Sequence, residues 1–476
     1  MSAPISASSA AADRPEVARV RVTQISLAII AAVFGYLLIY HLHHERQGHG
    51  HFGDFPTFYE AAQFAREHRD IYKAGNAATD QTYVYPPLIA FAYGPLTHLS
   101  LANAAAVMLF VTAAQLLGGL FLGGAAILER LHPIREGEAP AEPRFSSQPR
   151  LGGSLALPKR RDAGTLFAIV ALACLLGENE MRGVMTMIET DSLMLLMFAL
   201  AFWWLDRRPV LAGLALGLAF NIKYLSIVML PYLVLRRRWS AVVGMLLGCV
   251  AFALLPALQL GWHEDLRCLR VSMGGLLRWV GVAPEASGSI KVHDIADGLS
   301  VSITSGLARV LHPHGLTNAQ VMVVAAAVGV ASLLTVALLY RINRLPLWIW
   351  PARNGQRRQP FRALVALEWV GLVTVAIAFS PDTNARHLVL VAFVNLLGAA
   401  LLLVPRRGVS RVSAGVGLAL IVLAFIAPFA KQLRQIGFNH YVWSVPCWCL
   451  LIGYLLVLWT GLRFAAQAGR EGDATA

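Results

Sequence analysis

The stretch WSAVVGMLLGCVAFALLPALQL, Trp239–Leu260, runs 22 residues without a charge, and Arg236-Arg237-Arg238 stand directly before it. A helix rises 1.5 Å per residue, so a run of about 20 apolar residues crosses the ~30 Å hydrocarbon core of a bilayer. A triplet of arginines at one end is what a helix carries where it meets the cytoplasm, because basic residues accumulate in loops that are not translocated. The first apolar run, Val22–Tyr40, repeats the arrangement: 19 uncharged residues follow Arg14, Arg19 and Arg21. No small-residue cleavage site follows it, so it reads as a retained signal anchor rather than a cleaved leader.

Extending this reading along the 476 residues, of which 57% are hydrophobic and 14% charged, predicts an all-α polytopic membrane protein. The candidate spans are 22–40, 103–128, 164–177, 190–205, 210–222, 224–235, 239–260, 319–340, 362–380, 387–404, 412–430 and 447–463, about twelve in all. Alternating their flanks puts 26 of the 40 Lys and Arg in the segments assigned to the cytoplasm, although the two longest loops lie on the other side. That bias places both termini in the cytoplasm, 1–21 and 464–476 forming the tails of a 22–463 transmembrane domain. It also explains the formal net charge of +13 as topology, so no nucleic-acid partner is expected.

Two long extracytoplasmic loops, 41–102 and 261–318, remain to build a site. Thirteen of the fourteen histidines and about 16 of the 27 acids fall on their side of the membrane, where ionisable groups facing a cavity concentrate function. The cytoplasmic insert 129–163, with its EGEAPAEPR segment, lacks apolar periodicity and is expected to be disordered. The spans 210–222 and 224–235 are too short for straight crossings, so their turn at Asn221-Ile222-Lys223 should lie below the surface and line a cavity. The five cysteines show no metal or redox spacing, and the cluster His41, His43, His44, His49, His51 has no regular ligand spacing. No metal site and no cofactor are predicted.

In the first loop, GDFPTFYEAA (Gly53–Ala62) predicts a helix whose apolar stripe, Phe58, Ala61, Ala62 and Phe64, lies on the membrane. Asp54 stands just before it, either as an N-cap or as a carboxylate that accepts a proton from an acceptor hydroxyl. Beyond it come Ile71-Tyr72 and Tyr85-Pro86-Pro87-Leu88, with Pro95 further along; the proline pair predicts a short re-entrant or interfacial helix starting after it.

These residues resemble glycosyltransferase family 87. Asp54 with Tyr59, Ile71-Tyr72 and Tyr85-Pro86-Pro87-Leu88 match its opening. Ala212-Gly213 through Lys223 and Pro231 to Arg236-Arg237-Arg238-Trp239, Leu299-Ser300-Val301-Ser302 with Arg309, and Ser380-Pro381 with His387 follow in order. Glu189-Thr190-Asp191-Ser192 stands where relatives carry Gly-Gln-x-Asn. The segment from Asp382 to His387 lacks the usual Trp or paired His.

The resemblance implies a GT-C-like bundle and transfer of a sugar, mannose or another hexose, from a polyprenyl-phosphate donor to a lipid or glycan acceptor at the extracytoplasmic face of the cell membrane. Inversion at the anomeric carbon, Asp54 as base and no need for a divalent metal go with it. Lys223, Arg386 and His387 are then the candidates for the donor phosphate, with Tyr59, Glu60, Tyr85, His293, Ser300 and Arg309 as secondary candidates. A transporter or flippase for lipid-linked or small polar solutes is the alternative. Against it stand the missing internal repeat and spans taken to carry no mid-span charge.

Overall fold

The computed structural model describes residues 14–46, 53–76, 81–131, 160–279, 294–347, 359–380, 383–406, 408–425 and 442–475. Most of the expected insert 129–163 and the ends of both tails lie outside them. The described chain is helical apart from one two-residue hairpin. It begins with α1 (Arg14–Arg46) and α2 (Phe55–Arg66), then β1 (Gly75–Asn76) paired antiparallel with β2 (Gln81–Thr82), and α3 (Pro87–Ala92). Next come α4 (Leu101–Leu131), α5 (Arg160–Leu176), α6 (Glu178–Met187), α7 (Asp191–Trp204), α8 (Pro209–Phe220), α9 (Met229–Leu235) and α10 (Trp239–Leu254). The remainder is α11 (Ala257–Leu260), α12 (Trp262–Trp279), α13 (Ile303–Leu311), α14 (Asn318–Ile342), α15 (Gln359–Phe379), α16 (Ala392–Leu403), α17 (Val412–Phe425) and α18 (Val445–Thr475).

Among the described residues six helices are long and apolar enough to cross a bilayer, or seven if α5 and α6, bent by 70° at Gly177, form one span. The protein is therefore a polytopic membrane protein. Five further apolar helices, Asp191–Trp204, Pro209–Phe220, Tyr224–Leu235, Leu388–Leu403 and Val412–Phe425, are 10–17 residues long. The expected twelve crossings are reached only if each of these also counts. Lipid-facing surfaces show as exposed apolar side chains: α14 buries Val321, Ala325 and Tyr340 but leaves Val323, Leu333 and Leu334 exposed.

The short helix α8 and the spanning helix α10 pack backbone to backbone. Gly213 and Gly217 face Gly244 and Gly248, four residues apart on each helix, which is the small-xxx-small spacing of close helix pairs. A methyl on Gly213 would lie 2.1 Å from the Ala241 carbonyl oxygen, and one on Gly217 would lie 2.6 Å from the Cys249 nitrogen. At the end of this seam the Asn221 amide donates to both Gly217 O and Cys249 O, each at 3.0 Å. The seam thus fixes the turn that carries Lys223. Gly217→Val is expected to force the helices apart at a cost of about 3 kcal/mol or more. Thermal unfolding of the purified variant in detergent checks this, and an unchanged midpoint would refute it.

One expectation needs correction. The bundle does hold a charge within a span: Glu368, on α15, accepts from Arg236 Nε at 3.0 Å, Tyr232 Oη at 3.1 Å and Tyr340 Oη at 3.2 Å. Beside it Asp206 accepts from Arg238 at 2.8 Å and from Arg130 at 3.0 Å, the latter 3% exposed and stacked on Phe202. The arginines that flank the apolar runs are therefore partners in a buried ionic clamp as well as topology signals. An unpaired charge in this setting would cost several kcal/mol, which the pairing avoids.

A second correction concerns α2. Phe58, Ala61 and Ala62 are at most 1% exposed and Phe64 is 7% exposed, so the stripe faces protein instead of lipid. It packs on α3 and the chain around it, which makes the first loop a folded cap on one end of the bundle.

Candidate active site

The first loop is organised by aromatic rings and one phenol. Tyr83 donates to Pro86 O at 2.6 Å and accepts from the Ala90 nitrogen at 3.2 Å. The first turn of a helix leaves N–H groups unpaired, and Tyr83 takes one of them, so the Pro86-Pro87 start of α3 is held by a side chain. Phe58 sits edge-on to Tyr83, Tyr85 and Tyr93, with centroids 4.9–6.3 Å apart. Tyr72 donates to Cys268 O at 2.8 Å and Tyr85 O at 3.3 Å, which ties the second loop's α12 to the first loop.

Asp54 precedes α2 in the N-cap position, yet its carboxylate makes no capping bond. Its backbone nitrogen instead donates to Met187 O at 3.2 Å. Close approach is possible because residue 53 is glycine: its φ is +54°, and a methyl there would lie 2.4 Å from Met187 Cα. The carboxylate is thus half-buried and anchored to α6 through the main chain.

Lys223 pairs with Asp191, Nζ to Oδ2 at 2.7 Å, the aspartate side chain being 5% exposed and the lysine 24%. The ammonium lies 5.7 Å from the centre of the Tyr85 ring and within electrostatic reach of Glu189. Tyr85 is the common neighbour: its phenol feels Lys223, Glu189, Asp54 and Asp191 together. Burial pushes that phenol well above its usual range, with the three carboxylates adding to the shift and Lys223 opposing it. Tyr85 is accordingly a neutral O–H donor at any physiological pH. Tyr85, Lys223 and Asp191, from three separate segments, lie together, and the charges of Glu189 and Asp54 act on the same phenol.

Those last two residues were not among the candidates drawn from the sequence. Their signal was present, since Glu189 and Asp191 open an apolar helix and depart from the related pattern, but a departure does not reveal that Asp191 lies beside Lys223. The secondary candidates are mostly engaged elsewhere. Tyr59 donates to Leu99 O at 2.7 Å, and Glu60 accepts from the Gly75 nitrogen at 2.7 Å. Ser300 belongs to a buried hydroxyl network with Ser302 and Ser305 and accepts from the Thr383 backbone nitrogen. Arg309 holds Val442 O, Asp297 O and Ser444 Oγ. These residues shape the loops. His293 and the side chains of Arg386 and His387 lie outside the described residues, as do His49 and His51. Among the described residues no three His, Cys, Asp or Glu side chains gather as a metal site would require.

The second loop docks by α12, where Arg267 bonds Asp70 at 2.7 Å and Tyr224 bonds Ser272 at 2.8 Å. On the same helix Asp265 is fully buried, and neither carboxylate oxygen has a partner among the described residues. Burial pushes it from 3.8 up to about 6. Because the folded value is the higher one, the neutral acid favours folding at low pH, and that contribution is lost as pH rises through about 6. Asp265→Asn should therefore raise stability above pH ~7, by up to about 3 kcal/mol, and give no gain near pH ~4. Unfolding midpoints across this range decide the point; an equal effect at both ends would contradict it.

Lys223, paired with Asp191 and 5.7 Å from the centre of the Tyr85 ring, can hold an anionic leaving group, and the half-buried Asp54, whose charge also acts on Tyr85, is a carboxylate that can accept a proton. No curated protein and no solved structure matches the chain. The model of glycosyltransferase family 87 matches residues 83–381, a region that holds Tyr85, Glu189, Asp191 and Lys223 and begins after Asp54. More than half of the chain is covered, and the chain belongs to glycosyltransferase family 87.

Proposed function

We propose that this membrane glycosyltransferase moves a hexose, mannose in the first instance, from a polyprenyl-phosphate donor to a lipid or glycan hydroxyl at the extracytoplasmic face. The observation that carries the reading is Lys223, paired with Asp191 at the Tyr85 ring, whose phenol also feels the charge of Asp54. Sugar transfer from a phosphate needs a base for the acceptor and a cation for the leaving group, and we assign these roles to Asp54 and Lys223, whose charges both act on Tyr85. The face follows from charge. The basic clamp around Arg130, Arg236 and Arg238 belongs to the loops assigned to the cytoplasm, and the cluster belongs to those assigned to the other side.

The steps of the proposed reaction are as follows. Asp54 accepts the proton of the acceptor hydroxyl as its oxygen attacks the anomeric carbon from the side opposite the phosphate. The bond from that carbon to the phosphate oxygen breaks, and polyprenyl phosphate leaves with the electron pair. A single displacement inverts the configuration. Lys223 faces the charge growing on the phosphate, and Tyr85 adds a neutral donor. An ammonium has three N–H donors, so Lys223 can keep Asp191 while it bonds a phosphate oxygen. Arg386 and His387 are assigned to the donor phosphate on the family resemblance alone.

The test is incubation of the purified protein in lipid nanodiscs with polyprenyl-phosphate mannose and candidate lipid acceptors. Transfer from the lipid donor, absent with a nucleotide sugar, is the expected result. Transfer from the nucleotide sugar alone would overturn the donor assignment. Movement of a labelled solute across vesicles without any sugar transfer would favour a transporter.

A further inference from the structure

A small cavity lies where α5 turns into α6, lined by Gly177, Glu180 and Asn395 and closed by Leu120, Met181 and Val391. Its water-accessible volume is about 10 Å³, at the lower limit for holding one water molecule. Glu180 is 5% exposed and Asn395 is 1% exposed. Glu180 Oε2 and Asn395 Oδ1 are both buried without a hydrogen-bond partner among the described residues. The two side chains reach the same glycine: a methyl placed on Gly177 would lie 3.8 Å from Glu180 Oε2 and 3.4 Å from the Asn395 amide nitrogen. Buried polar atoms left unpaired cost about 1–3 kcal/mol each, and both side chains line this one space. A water has two O–H donors, one for each acceptor. A metal ion would need more oxygen ligands than these walls supply.

We propose that Glu180 and Asn395 hold one internal water at the elbow between α5 and α6, and that this hydrated joint positions the active-site carboxylate. The mechanical link is on α6 itself. Glu180 is in its first turn; Met187, at its other end, accepts the Asp54 backbone nitrogen. After a left-handed Ile188, with φ +50°, the chain passes directly to Glu189 and Asp191. Asn395 sits on α16, immediately after the 3-10 segment Ala385–Val391, which packs against α6. Loosening the joint lets α6 pivot, and Asp54 moves with it. Glu180 and Asn395 act through Asp54 and touch no substrate, so they are positioning residues. The catalytic part of the inference rests on the proposed function; the water does not.

The experiment is a double-mutant cycle of Glu180→Leu and Asn395→Leu in the full-length protein, with Glu180→Gln as the conservative variant. Unfolding midpoints, kcat and KM are measured, together with a cryo-EM map that resolves ordered water. Each leucine variant should lower the midpoint, and the double variant should lose less than the sum, because both unpaired acceptors disappear together. Density for one water should bridge the two side chains in the wild type. Strictly additive losses, or the absence of that density, would overturn the joint. Glu180→Leu should lower kcat by roughly tenfold to a hundredfold, as a displacement of about 1 Å does, with KM little changed and Glu180→Gln restoring most of kcat. Equal kcat in wild type and Glu180→Leu would refute the positioning role. If the wild type transfers no sugar from the lipid donor, the proposed function fails, while the stability cycle and the density still decide the water.

Discussion

Asp54→Asn is expected to lower kcat for sugar transfer by about 10²–10⁴-fold, the range that general-base catalysis supplies, with little change in KM for the lipid donor. The substitution removes the proton acceptor but keeps size and polarity. It also leaves the anchoring intact, because the bond to Met187 uses the Asp54 backbone nitrogen and the carboxylate makes no capping bond. Loss of folding is therefore not expected, and the unfolding midpoint should match the wild type. A residual rate would reflect binding and the cation alone. Undiminished transfer by Asp54→Asn would remove Asp54 from the mechanism and turn attention to Glu189, the carboxylate that acts most strongly on Tyr85. The matching control is Tyr59→Phe, which deletes only the bond to Leu99 O and should leave the rate within a few-fold.

The helices were legible because bilayer physics writes them plainly: a run such as Trp239–Leu260 has no other stable setting. Where the reading fell short, the missing information was tertiary. The stripe Phe58-Ala61-Ala62 suits a lipid surface and a protein surface equally well, and only the ring nest of Tyr83, Tyr85 and Tyr93 decides between them. Glu368 was hidden inside an apolar run, and its partners Tyr232, Arg236 and Tyr340 are far from it in sequence. At the site, Asp54 and Lys223 were readable one by one, since a carboxylate after a span and a lysine in a broken pair each carry a physical oddity. Asp191 was not, because pairing with a residue 32 positions away leaves no local trace.

That pairing sets the second large effect. Lys223→Met should abolish detectable transfer, by ~10²–10³-fold or more, since it removes the proposed cation for the leaving phosphate. It should also destabilise the fold by roughly 3–5 kcal/mol, because Asp191 would remain as a buried, uncompensated charge. The two consequences separate in a second variant. Lys223→Met combined with Asp191→Leu takes away both charges, so stability should return to near the wild-type value while transfer stays absent. Asp191→Asn alone keeps an acceptor for the lysine and frees part of its charge; it should retain measurable transfer with a changed KM for the donor. Unfolding midpoints and initial rates on the same four proteins are sufficient. If the double variant recovers activity along with stability, Lys223 is only a structural partner of Asp191, and the phosphate must be held by the segment of Arg386 and His387. If stability fails to return, the cost of Lys223→Met lies in the turn that the Asn221 amide and the glycine seam hold in place, and the ion pair is incidental to it.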